Sequence, residues 1–307
     1  MKLHLDSQDN AIYTLDLNFM GRQGAIAAYL IPHDHGAALV ECGPGSTITT
    51  LRSNLNSLGY AVSDISNVLV THIHLDHAGA SGWLARQGAT IHVHPVGAPH
   101  LLNPQKLLTS ARRIYRDNMD TLWGEFLPVP EERLVIHQDQ ELIEVEGLVF
   151  RPLDTLGHAT HHFAYLLNGV CFSGDIAGVR VPGVHHIRLP MAPPEFHLES
   201  WRQSLEKLRQ EKITHILPTH FGIFPDPDWH LNAVGEALDN IEQWMSEIMP
   251  LELPLEELET EFLQLENKRA FASGVDPNIL DIYETANPPW ISLLGIQRYW
   301  RKYRQGD

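Results

Sequence analysis

The sequence predicts an α/β fold that ends in a helical extension, and three observations carry that prediction. Short apolar runs rich in Val, Ile and Leu, bounded by Gly and Pro, alternate with helix-period stretches through residues 1–225. From Asp228 onward the pattern is nearly all helix. Composition is that of an ordinary globular chain, with 43% hydrophobic and 20% charged residues over 307 positions. The division expected is therefore a catalytic α/β domain over 1–225 and a helical extension over 226–307.

Ala25 to Ile31 reads as a strand ended by Pro32, and His33-Asp34-His35-Gly36 as the turn of a hairpin that returns over Ala37 to Glu41. Gly43-Pro44-Gly45 breaks it. Ser46 can cap a helix whose Ile48, Leu51, Leu55 and Leu58 share one face. Asn67 to Thr71 reads as a strand buried on both faces, Ala78 to Gln87 as a helix and Thr90 to His94 as a strand. Residues 95–127 look mostly helical, with Pro104 in the first helical position. Strands resume from Arg133, over Leu148 to Pro152, Ala164 to Leu167 and Val170 to Ser173, and Asn168-Gly169 is a hairpin signal. Residues 177–194 read as a long loop. A helix follows from Glu195, then a strand at His215 to Pro218.

Charge and cysteine content narrow the function classes. Asp+Glu total 38 against 22 Lys+Arg, a net charge of −16, which argues against a nucleic-acid partner. Met1 to Asp6 holds no apolar signal-peptide core and no run is long enough to span a membrane, so the expected compartment is the cytoplasm. Two cysteines, Cys42 and Cys171, are too few for a disulfide framework and read as buried and inert. The nineteen histidines are the anomaly, and they direct attention to metal ligation.

The informative segment is Val70-Thr71-His72-Ile73-His74-Leu75-Asp76-His77. Three imidazoles and a carboxylate fall within six residues at the end of a buried strand, where α/β proteins place their sites. His72 and His74 point the same way on an extended backbone, while Asp76 and His77 diverge at the turn into a helix. One loop thus presents ligands to two points. Zinc takes about four ligands, so more donors must come from elsewhere. His158, Asp175 and His220 each follow a candidate strand and are the natural suppliers.

His72-x-His74-x-Asp76-His77 followed by His158, Asp175 and His220 resembles the metallo-β-lactamase-fold hydrolase superfamily, over roughly residues 10–225 and closer to its glyoxalase II-like and lactonase-like branches. The resemblance implies a four-layer αββα sandwich with a dinuclear centre. It implies His72, His74 and His158 on one metal, Asp76, His77 and His220 on the other, and Asp175 bridging. Two divalent ions are expected, zinc in the first place, with iron or manganese as alternatives. Glu41 stands where many relatives have the Asp of an Asp-x-Gly turn, and would orient the ligand loop with a longer arm.

Two such cations sharing a water lower its pKa toward ~7, which gives a nucleophile without a serine or cysteine. The expected reaction is hydrolysis of a small ester, thioester or lactone, with Asp76 also orienting the nucleophile and accepting its proton. The segments 95–127 and 177–198 are expected to wall the pocket, with Arg112, Arg113, Tyr115 and Arg180 as substrate contacts. Rivals are a mononuclear-iron persulfide dioxygenase, a nuclease of the same superfamily and a metal-dependent binding module. His162 reads as a hydrogen-bonded neighbour of the ligands or a helix residue, His92 and His94 as solvated or core histidines, and His185 and His186 as residues of the long loop, on the surface or near the pocket. The stripe Leu258, Phe262 and Leu265 reads as core packing, and the basic, aromatic tail Arg298 to Arg304 as docking on the chain's own acidic surface or across a homodimer.

Overall fold

The computed structural model describes residues 1–4 and 11–305, so Leu5 and Asp6 of the leading segment lie outside the described residues. Seven strands form the first sheet in chain order: β1 (Lys2–His4), β2 (Ala11–Asp16), β3 (Ala27–His33), β4 (Gly36–Val40), β5 (Ile65–Leu69), β6 (Thr90–Val93) and β7 (Leu134–Ile136). Pairing is antiparallel from β1 to β4 and parallel from β4 to β7. The second sheet holds β8 (Ile143–Val145), β9 (Leu148–Asp154), β10 (Phe163–Leu167), β11 (Val170–Gly174) and β12 (His215–Pro218), in the order β12-β11-β10-β9-β8. Only β11 and β12 pair in parallel there.

Side-chain alternation decides the layers. In β3, Ala27, Tyr29 and Ile31 face the second sheet, while Ala28 and Leu30 face outward into helices. In β10, Phe163, Tyr165 and Leu167 face inward, and Ala164 and Leu166 outward. Each sheet is thus apolar on both faces and needs a cover on each side. The first sheet is covered by α1 (Ile48–Ser57), α2 (Leu75–Ala78), α3 (Ser81–Arg86), α4 (Ala98–Leu102), α5 (Gln105–Tyr115) and α6 (Met119–Trp123). The second is covered by α7 (Leu198–Arg209), α8 (Pro227–Ile248), α9 (Leu255–Ala272) and the last helix, Pro289–Tyr303. Between them α10 (Pro277–Ala286) seats Tyr283 against Val179 and Val181, and the last helix is α11. The result is the four-layer αββα sandwich. Helices after residue 226 contribute Leu231, Phe262, Leu293 and Tyr299 to the same core as Leu153 and Trp201.

Several local expectations shift for physical reasons. β3 continues through Pro32, because β2 pairs only as far as Leu30 and no neighbour there asks Pro32 for an N–H. The helix expected over Ala78 to Gln87 is two short helices around Gly79, where a Cβ would lie 2.7 Å from the Pro44 Cα. Pro104 caps α5 rather than opening it. Asn168 and Gly169 both take positive φ (49° and 80°), the mirror-image turn that joins β10 to β11. The basic tail folds back on its own chain, with Arg304 donating to Glu199 at 2.6 Å and to Glu242 at 2.9 Å.

Several histidines outside the seven candidates are held inside the fold. His92 and His137 hydrogen-bond each other at 2.8 Å, with Asn67 and Glu141 at the two ends of the chain. Burial and then His137 push His92 down to about 3; burial and then Arg269 push His186 down to about 3; burial takes His230 to about 4. Unfolding returns each to the ordinary 6.5, so the unfolded chain takes up protons that the folded chain refuses. Their contribution to stability is complete above pH 6.5 and is lost as pH falls toward the folded values. Melting temperatures measured from about pH 7.5 down to about pH 4.5 should fall steadily, and His92→Gln should flatten the slope by roughly one proton, ~1.4 kcal/mol per pH unit. An unchanged slope in that variant contradicts the assignment.

Candidate metal centre

The ligand candidates all lie just past the downstream ends of strands that run in parallel in their sheets. His72, His74, Asp76 and His77 follow β5, His158 follows β9, Asp175 follows β11 and His220 follows β12. The two sheets meet at this edge. Phe163 N donates to Thr71 O at 2.7 Å, and Ala27 N to Thr219 O at 2.8 Å. Donors from both sheets therefore share one rim.

The structure brings the seven residues together in two groups. His72 Nε2, His74 Nδ1 and His158 Nε2 form a triangle with sides of 2.9, 2.9 and 3.1 Å. Asp76, His77 and His220 form the second group, with His220 Nε2 and His77 Nε2 at 3.4 and 3.7 Å from Asp76 Oδ2. Asp175 stands between them. Its Oδ1 lies 3.3 Å from His77 Nε2 and 3.4 Å from His220 Nε2, and its Oδ2 lies 3.3 Å from His158 Nε2.

Each ring is turned by its other nitrogen. His158 Nδ1 donates to Pro190 O at 2.6 Å and His220 Nδ1 to Ala25 O at 2.8 Å. His77 Nδ1 donates to Glu41 Oε1 at 3.1 Å, and His72 Nδ1 lies 3.1 Å from Thr71 Oγ1. These bonds hold Nδ1 of each of the four rings in the protein and turn its Nε2 toward the centre, the orientation a metal requires. Glu41 also accepts from the hydroxyls of Thr71 and Thr219, and is itself buried at a φ of +68°. The expected orienting residue is thus in contact with the ligand loop, and its longer arm spans to His77.

Charge separates the two groups. Burial, reinforced by neighbouring imidazoles, holds His72 well below its ordinary value and His74 at about 3, so both are neutral. Burial also opposes a proton on His77, but the carboxylates of Asp175, Asp76 and Glu41 outweigh it and hold His77 well above the usual range. His220 rises for the same reason, through Asp175 and Asp76. Burial would raise Asp76 and Asp175, yet the facing imidazoles keep Asp76 at about 2 and Asp175 well below the carboxylate range. The second group is a place where buried carboxylates call for positive charge.

A cation fits these residues. His77 Nε2 and Asp175 Oδ1 are buried atoms without a hydrogen-bond partner, and they face each other at 3.3 Å. Leaving two such atoms unpaired costs stability that an ion between them would recover. His72 and His74, neutral beside ionised Asp76 and Asp175, are already in the protonation states that ligation demands, and an ion would replace the protons that the carboxylates favour on His77 and His220.

A cavity of about 480 Å³ opens from this centre, with His74, Asp76, His158, Asp175 and His220 at its base. Of the expected substrate contacts, Tyr115 lines it. Arg112 and Arg113 do not, because their helix turns both side chains to solvent. Arg180 does not either. It is buried under Phe224 and Trp229 and paired with Asp226 at 2.7 and 2.8 Å, which leaves its charge no reach toward the centre. The helical segment before residue 127 walls the cavity as expected, and so does the Pro190–Glu195 stretch. The wall also includes Thr285 to Ile291 from the C-terminal helices, which the sequence reading missed. A further missed feature is the pair His161 and Glu195, 2.9 Å apart beside His74. His162 accepts from the Asp175 backbone N–H at 3.1 Å, so its ring braces the residue expected to bridge the two groups.

The family model described as the metallo-beta-lactamase superfamily matches residues 21–220, a span that includes all seven ligand candidates. The chain belongs to the metallo-β-lactamase superfamily. Among curated members it is 24% identical, over 64% of its length and 72% of the relative, to a metallo-beta-lactamase fold-containing protein of Sulfurisphaera tokodaii. It is 30% identical to the atrochrysone carboxyl ACP thioesterase of Aspergillus fumigatus, over 47% of this chain and only 35% of the thioesterase. Among solved superfamily structures, an archaeal protein from Sulfolobus tokodaii superposes with a TM-score of 0.66 at 18% identity, covering 93% of this chain and 98% of its own. A family protein from Thermus thermophilus gives 0.65 at 22% identity, covering 95% and 93%. These likenesses extend through the C-terminal helices, beyond the residues that the family model matches. No helix of the described residues is long and apolar enough to cross a membrane.

Proposed function

We propose that this superfamily member is a dinuclear metal-dependent hydrolase of a small ester, thioester or lactone, nearest in kind to the glyoxalase II-like and lactonase-like branches. The observation that carries the reading is Asp175, whose two oxygens face the two ligand groups separately. His72, His74 and His158 would hold one ion, Asp76, His77 and His220 the other, and Asp175 both. Zinc is the ion proposed first, with iron or manganese as alternatives. Bound divalent ions supply an acidified water and an electrophile for a carbonyl oxygen at neutral pH.

The chain's own groups do the rest. Asp76, ionised and partly exposed at the cavity base, is placed to orient the incoming water and accept its proton. His158 and His220 are fixed by backbone carbonyls, so their positions cost no reorganisation during the reaction. The apolar wall keeps bulk water away from the carbonyl. The similarity to a thioesterase supports the acyl-transfer reading, and the −16 charge argues against a nucleic-acid substrate. Both cysteines are free and buried, in keeping with a reducing, cytoplasmic setting.

The test is elemental analysis of chelator-free protein together with turnover of a thioester, ester and lactone panel. Two ions per chain and turnover that is lost in the His72→Ala/His74→Ala double variant are expected, with the circular dichroism of the fold retained. One iron with oxygen uptake would identify a dioxygenase instead. Full metal content and full turnover in the double variant would refute the ligand assignment.

A further inference from the structure

The base of the cavity is accounted for by the metal centre, but its wall is not. Four aromatic rings from four separate segments run along it in contact. Phe19, from the turn after β2, stacks on Trp123 of α6 at 5.5 Å and 18°. Trp123 meets the edge of Tyr115 from α5 at 5.0 Å, and Tyr115 meets Trp290 of α11 at 6.2 Å, both near-perpendicular. Trp290 is 40% exposed, a large indole left half in water at the first turn of its helix. Ile73, Ile114 and Ile291 line the same cavity. Among the described lining residues Lys106 is the one lysine or arginine, and it sits on an exposed face of α5.

This wall discriminates between the two halves of a thioester or ester. A carrier thiol arm is rich in amides and hydroxyls, which lose their hydrogen bonds to water against apolar rings and gain few partners there. An acyl group loses nothing. A cavity of about 480 Å³ is also far larger than an acetyl group or a small lactone needs, whereas a fused-ring acyl group can cover the exposed indole and meet the arc edge-on or stacked. We infer that the Phe19–Trp123–Tyr115–Trp290 arc is an acyl-group pocket for a planar aromatic acyl substrate, with Trp290 of the C-terminal helix as its specificity-determining residue. The inference rests on the hydrolase reading for its reaction, but the binding it asserts can be read without turnover.

Two measurements on the protein as purified separate them. The first is fluorescence titration with 2-acetylnaphthalene, a neutral planar ketone with no bond to hydrolyse. Saturable binding is expected in the parent chain, about tenfold weaker in Trp290→Ala and largely restored in Trp290→Phe. The second is the ratio of kcat/KM for 2-naphthoyl over acetyl N-acetylcysteamine thioesters. It is expected to favour naphthoyl and to fall at least about tenfold in Trp290→Ala. Equal ketone affinity in parent and Trp290→Ala chains overturns the pocket, as does a naphthoyl-to-acetyl ratio indifferent to residue 290. Ketone binding that depends on Trp290 without hydrolysis of either thioester, or of the ester and lactone panel, keeps the pocket and rejects the hydrolase reading. Hydrolysis of both thioesters without any Trp290 dependence does the reverse.

Discussion

Asp175→Asn is expected to lower bound metal from two ions per chain to one or fewer and to cut kcat/KM by on the order of a thousandfold, ~4 kcal/mol of transition-state stabilisation. The substitution keeps size and shape, so packing gives no reason for the loss. What it removes is the charge that faces His77 and His220 through Oδ1 and His158 through Oδ2. An amide offers one acceptor and one donor, and whichever way it turns, one ligand group meets an N–H instead of an oxygen lone pair. His162 still receives the backbone N–H of residue 175, so the loop stays in place. Metal content by elemental analysis and the melting curve of the same sample check this. Two retained ions would show that the bridging assignment is mistaken.

The candidate ligand cluster was legible because its signal is local. His72, His74, Asp76 and His77 sit on one turn, and His158, Asp175 and His220 each follow a strand whose apolar run is visible by itself. The layers were not legible from alternation, since strands such as β3 and β10 are apolar on both faces; the fold came through the resemblance. The cavity wall was hidden for a different reason. Trp290 reaches Tyr115 from 175 positions away, and Glu195 reaches His161 from 34, so no spacing marks either pair. Arg180 misled because a buried arginine and a substrate-binding arginine look alike in sequence. Only the carboxylate of Asp226 and the rings of Phe224 and Trp229 decide between them.

Glu41 is where the strongest effect outside the ligands is expected. Its carboxylate accepts from Thr71 Oγ1, from Thr219 Oγ1 at 3.0 Å and from His77 Nδ1 at 3.1 Å, all buried. Glu41→Ala strands all three donors at about 1–3 kcal/mol each, so a loss of several kcal/mol and a markedly lower melting temperature are expected. It also frees the His77 ring, and metal affinity should fall by roughly 10–100-fold. Glu41→Gln separates the two consequences. The amide oxygen can still accept from two donors, so most stability survives. The charge that favours His77 with its proton on Nδ1 is gone, and so is the electrostatic support for a cation at Nε2. Glu41→Asp keeps the charge but shortens the arm by one methylene, which weakens the hydrogen bonds that Oε1 accepts from Thr71, Thr219 and His77 without removing the negative charge beside His77. Chelator-competition affinities and melting temperatures on the three variants should therefore rank differently, with Gln the more stable and Asp the tighter metal binder. Identical rankings would mean that Glu41 acts only as packing and hydrogen-bond filler, since only a role exerted through His77 makes charge and reach matter separately.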